Sequence, residues 1–96
     1  MKQIFAILMI VCLAFSTPIY AANEAFDDCL LTHLKGAKQD NAAHLIRLAC
    51  TGLYNRSGVL LENRRLFLNC LLEHLVGVES AQAVEDIHLA CGRKYD

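Results

Sequence analysis

"CLLTHLKGAKQDNAAHLIRLAC", Cys29 to Cys50, and "CLLEHLVGVESAQAVEDIHLAC", Cys70 to Cys91, are one frame written twice. With a shift of 41 residues, positions 26–54 align with 67–95, and 13 of the 29 pairs are identical. The identities include both cysteines, His33/His74, Gly36/Gly77 and Tyr54/Tyr95. Self-similarity at a fixed period in so short a chain reads as an internal duplication.

Each copy reads as helix, turn, helix. At 100° per residue, Phe26, Cys29, Leu30, His33 and Leu34 share one arc, and Asp28, Thr32 and Lys35 lie opposite. Gly36 follows as a stop suited to positive φ, and Asp40 stands where an N-cap carboxylate would accept from the free amides of the next helix. The second copy has Ala81 there, so Ser80 is expected to cap one residue earlier. Ala42, Ile46, Ala49 and Cys50 align on one face of the second helix, and the small alanines allow close approach. "NRSG" at 55–58 is the linker. The third helix is expected to begin near Val59 and run toward Val76, longer than its counterpart.

The N-terminus sets the compartment. Lys2 precedes an unbroken apolar run of 12 residues, Ile4 to Phe15, and Ser16, Thr17 and Pro18 interrupt it ahead of Ala21 and Ala22. This is the pattern of a secretory signal over residues 1–22, too short for a permanent membrane anchor. Residues 23–96 then form a single domain built of the two copies, about 26–54 and 67–95. That domain keeps four cysteines, because Cys12 leaves with the signal. In a small exported chain an even four reads as two disulfides, and the duplication favours Cys29–Cys50 with Cys70–Cys91. A chain this short buries only roughly 60% of its unfolded surface, so staples are needed.

Removing Lys2 leaves 9 − 1 = 8 basic residues against 10 acidic ones, a net charge of −2. A mildly acidic chain does not suit nucleic-acid binding, which needs a basic surface. Enzyme chemistry finds no footing either. There is no Cys-x-x-Cys for thiol exchange, no Gly-rich phosphate loop after a strand and no nucleophile elbow. The reading is non-enzymatic, with no catalytic residue and no cofactor. His33 and His74, each four residues after a cysteine, are the candidates for a metal or redox-linked alternative that also uses the cysteines. His44 and His88 are assigned to solvated helix faces. Four histidines also permit a third reading, an acid-stress chaperone.

The third helix is greasier than the first: Leu68 stands where the first copy has Asp27, and Val76 where it has Lys35. With Leu61 and Leu72 these residues form a second apolar stripe. It either packs hairpin against hairpin or meets a partner. Leu48 and Leu89 are assigned to the inter-hairpin contact.

The frame Cys–aliphatic–x–x–His–Leu–Lys–Gly–Ala, then Asp–x–Ala–Ala, then Ile–x–x–Ala–Cys, best seen in "LKGAKQDNAAHLIRLAC" (34–50), resembles the family of small exported bacterial four-cysteine proteins. The second copy departs from it with Val76, Ala81 and Val84 for Lys35, Asp40 and Ala43. The resemblance implies export to the periplasm or beyond and two disulfides, and brings no activity, substrate or catalytic residue. The expectation is therefore an all-α protein: two disulfide-stapled antiparallel helical hairpins forming a compact four-helix unit. It would act as a binding or interaction module toward an unknown protein partner or a second copy of itself, with Leu61, Leu68, Leu72 and Val76 as the surface.

Overall fold

A computed structural model describes residues 23–95. The signal expected over 1–22 lies outside the described residues. Four helices follow in order: α1 (Glu24–His33), α2 (Asp40–Tyr54), α3 (Glu62–Leu75) and α4 (Ala81–Tyr95), with a 3₁₀ turn at Leu34–Gly36 after α1. The fold is all-α. α1 and α2 form one hairpin, α3 and α4 the other, and each is stapled across its helices.

The staples are Cys29–Cys50 and Cys70–Cys91, each spanning 21 residues, with Cα atoms 5.7 and 5.9 Å apart. In a chain-entropy treatment each closed loop restricts the unfolded chain by about 3 kcal/mol. All four cysteines are also core residues, so each bridge fills space between its helices as well as tying them.

The hairpins meet along α2 and α3. The substantial helix contacts run α1–α2, α2–α3 and α3–α4, with a smaller one between α2 and α4, so α1 and α4 form the two edges of the unit. Ile46, Ala42, Ala49, Leu68, Leu71, Leu75 and Val84 are fully buried at this seam or beside it. Gly52 shows how closely the helices approach: a Cβ built there would lie 2.6 Å from Leu68 Cδ1. Any larger residue at 52 would push Leu68 out of its seat.

The two turns are joined as well. Gly77 N–H donates to the Gly36 carbonyl at 3.0 Å, and the side-chain amides of Gln39 and Asn41 donate to the carbonyls of Glu79 and Ala81 at 2.6 and 3.2 Å. These bonds hold the two turns side by side in register.

Several sequence expectations are met and several are corrected. Ser80 caps α4, its hydroxyl accepting from Ala83 N–H at 3.2 Å. Asp40 is not a cap but the first residue of α2. Gln39 takes the cap position in extended conformation and sends its side chain to the second turn instead. Gly36 sits in the 3₁₀ turn, and positive φ falls on Gly77 (85°) and Gly58 (93°). Gly36 is needed for space, since its Cβ position lies 2.6 Å from Val76 Cγ1. α3 starts at Glu62 rather than near Val59, because Gly58 turns the chain and Leu61 is extended. It remains longer than α1, with 14 residues against 10.

The apolar stripe divides. Leu68 and Leu72 are buried in the seam, so they cannot serve as a partner surface, whereas Leu61 is 66% exposed and Val76 is partly so. The reason is that α3 is a central helix and presents these two leucines to α2. Leu48 and Leu89 also stay exposed, outside the inter-hairpin contact assigned to them.

Identical residues thus have different surroundings. Leu72 is 7% exposed on central α3, while Leu31, 41 positions earlier on edge helix α1, is 70% exposed. Truncation separates them. Leu72→Ala is expected to cost about 2–5 kcal/mol in urea unfolding of the oxidised protein. Leu31→Ala is expected to stay within about 0.5 kcal/mol of the parent. Equal costs would contradict the central and edge roles.

Candidate functional site

Phe67 on α3 lines a groove between α3 and α4. Its ring rests against α4, with Cε1 4.0 Å from where a Cβ of Gly92 would stand, an ordinary contact distance. Arg64, one turn earlier, holds its guanidinium 5.1 Å from the ring centroid, a cation–π distance. His88 on α4 tilts toward the same ring, centroids 6.0 Å apart. Leu89 and Arg93, one turn apart on α4, are exposed beside it.

The segment between the hairpins closes one side. Gly58 bends the chain at positive φ, and Val59 and Leu61 after it line the groove ahead of α3. Arg56 and Tyr95 complete the rim. The result is an open groove of about 780 Å³ with an apolar floor, three guanidinium groups and one imidazole, and no carboxylate among the described residues that line it. Glu62, between lining residues Leu61 and Asn63, is engaged elsewhere. Its carboxyl is held below the usual range by hydrogen bonding to the Arg65 side chain, and Arg65 is raised in turn. Glu62 therefore does not neutralise Arg64.

Of the surface residues read from sequence, Leu61 lies in this groove. Leu68 and Leu72 lie in the core, and Val76 packs at the turns against Gly36. Arg56, Arg64, Phe67, His88, Leu89 and Arg93 were not singled out as a site by sequence reasoning. One signal was present: Arg93 stands where the first copy has Gly52, a charged side chain replacing a glycine.

The histidine candidates separate. His33 is half-buried on α1, its Nδ1 2.8 Å from the Cys29 carbonyl and 3.9 Å from Cys29 Sγ. Together with Cys50 it forms a group whose donor atoms lie within 4.8 Å of one another. Both sulfurs of that group are bonded to each other, so neither is a thiolate, the form that ligates metal. His74 is exposed, 3.9 Å from Glu73, and does not join the group. His44 is exposed; His88, expected on a solvated face, is half-buried in the groove.

The model of the four-cysteine protein VF_A0006-like family matches residues 7–95, and the chain belongs to that family. No curated protein and no solved structure matches the chain. Among the described residues, no helix is long and apolar enough to cross a membrane. The two disulfides suit an oxidising, extracytoplasmic compartment.

Intact mass reads the state of the cysteines directly. Alkylation of the unreduced, denatured protein is expected to add nothing. After reduction it should add four labels, on Cys29, Cys50, Cys70 and Cys91, with a fifth only if Cys12 is retained. Labelling of Cys29 and Cys50 without reduction would free them to ligate a metal beside His33.

Proposed function

We propose that this chain is a non-enzymatic binding module, exported to the bacterial periplasm or beyond. Its groove on α3 and α4 receives a protein segment that sets a carboxylate beside apolar side chains. One observation carries the reading: Arg56, Arg64 and Arg93 surround an apolar floor, and none of the described lining residues is acidic. A guanidinium offers a planar fork that matches a carboxylate with two parallel hydrogen bonds. Phe67 and Leu89 supply the apolar contact that a bare anion would not use. In a chain with 10 acidic residues against 9 basic ones, three arginines gathered around one apolar floor are a local feature, not a general surface charge.

The four-cysteine framework supports the export half of the reading, since small domains with paired cysteines belong to oxidising compartments. It also supports the binding half. Disulfides fix the distance between helices, so the groove walls are set before any partner arrives, and less ordering is lost on binding.

Decanoate is a minimal probe of this chemistry, with decanol as its uncharged match. In amide NMR titrations of the oxidised protein, decanoate is expected to shift Phe67, His88, Leu89 and Gly92, and decanol to act far more weakly. Arg64→Glu should weaken decanoate binding by about tenfold, the scale of one charge-assisted hydrogen bond. Equal responses to the two probes, or shifts centred away from α4, would remove the groove as the site.

A further inference from the structure

Among the described residues, no hydrogen bond between the two turns is returned by the counterpart residues. Gln39 and Asn41 of the first turn bond to the second turn, but their counterparts 41 residues on, Ser80 and Gln82, do not bond back. Ser80 instead caps its own helix, and Gln82 donates to Asp86 at 3.1 Å. Likewise α2 packs on α3, while α1 and α4 form no comparable contact. A two-fold arrangement would make both contacts; this arrangement steps one hairpin along from the other. Interfaces of that kind leave one used face and one unused face on every unit.

The unused faces can be named from the used ones. Leu68 and Leu72 on α3 are buried at the seam, where Leu68 sits over Gly52 of α2. Their counterparts on α1 are Asp27 and Leu31, four residues apart on one helix face and both exposed. Ala49 of α2 is buried, but its counterpart on α4, Ala90, is exposed. Gly52 itself corresponds to Arg93, exposed in the groove with Leu89 one turn before it. At the turns, Gly36 receives Val76, while Gly77 has open space within 4 Å of where its Cβ would stand.

If a second copy repeats the step already made within one chain, its Asp27 falls on Arg93, as Leu68 falls on Gly52. The apolar contact inside the chain is replaced between chains by a carboxylate meeting a guanidinium. Among the described residues neither group has an ion-pair partner, the pairs there being Arg65–Glu62 and His74–Glu73. Glu24 and Asp28 add negative charge to the incoming helix, and Arg56 and Arg64 add positive charge to the groove.

We infer that the partner of this face is a second copy of this chain, whose α1 packs on α4 so that Asp27 pairs with Arg93 at the groove and copies join head to tail. This deepens the binding reading above and rests on it. The contact is heterologous, so further copies add until the rotation closes a ring or a filament grows. Its charge pairs are near solvent, so association weakens with salt.

Sedimentation of the oxidised, exported protein across micromolar to millimolar concentration tests this. The parent should gain mass with concentration. Asp27→Arg and Arg93→Asp should each weaken association by about tenfold or more, since like charges then face each other. Mixing the two variants should restore it, as should Asp27→Arg with Arg93→Asp in one chain. Both positions are exposed, so unchanged thermal melts are expected alongside. A parent that stays monomeric throughout, or association untouched by either reversal, overturns the proposal. A monomeric parent that still takes decanoate through Phe67 and Leu89 would overturn self-association and leave the groove standing. Charge-dependent association with no response to decanoate would do the reverse.

Discussion

Everything in this fold depends on Leu68 settling over Gly52. Each stapled hairpin has helices too few to cover its own apolar face, and a disulfide cannot supply that cover. The α2–α3 seam does, burying Leu68, Leu72, Leu71 and Ala49 between two units that would otherwise expose them. Glycine at 52 sets how near the helices come, and glycine at 36 does the same for Val76 at the turns. Burial of one leucine side chain contributes about 1.5–3 kcal/mol, so a handful of them at one seam matches the two staples in weight. The staples make hairpins; the seam makes a protein.

The parts of this structure that were legible in the sequence are those set by neighbours close along the chain. The Cys-x20-Cys spacing, the helical arcs and the Ser80 cap all depend on residues within one copy, and each is found as read. What was not legible depends on the order in which helices pack. Leu31 and Leu72 have the same residue type and the same local frame, yet only one is covered, because α3 is central and α1 is an edge. Gly36 and Gly77 likewise share a frame, and only Gly77 takes positive φ, because Gly36 is held in a 3₁₀ turn under Val76. Periodicity assigns a face to the interior without saying which helix will supply that interior. The groove was hidden for the same reason, since Arg64 and Phe67 share a face of α3 and only the packing of α4 on α3 brings Arg93 to them.

The departures between the copies are more informative than the identities. Where the copies agree, at the cysteines, the turn glycines and the leucine ladder, they specify a hairpin. Where they differ, at Asp27/Leu68, Lys35/Val76 and Gly52/Arg93, they decide which faces close within the chain and which remain on the surface. Leucine and glycine occupy the pair that meets inside; aspartate and arginine occupy the pair that does not. Two identical hairpins would leave the same apolar faces at both ends, and such faces associate without restraint. Exchanging leucine for a carboxylate on one end and glycine for a guanidinium on the other keeps the ends soluble when apart.

The same exchange gives the ends a preference for each other. A carboxylate and a guanidinium near solvent contribute modestly to affinity, but they select register and partner strongly, because the wrong pairing sets like charges together. The apolar neighbours Leu31 and Ala90 would supply the rest of the contact once the charges have oriented it. The rigidity of a stapled hairpin matters here more than its stability. Arg93 lies two residues after Cys91, and Asp27 two before Cys29, so each charged group is carried on the turn of helix that a disulfide anchors. A staple placed there fixes the position of the charge as well as the pairing of the helices, which ties the four cysteines to the binding faces and not only to the core.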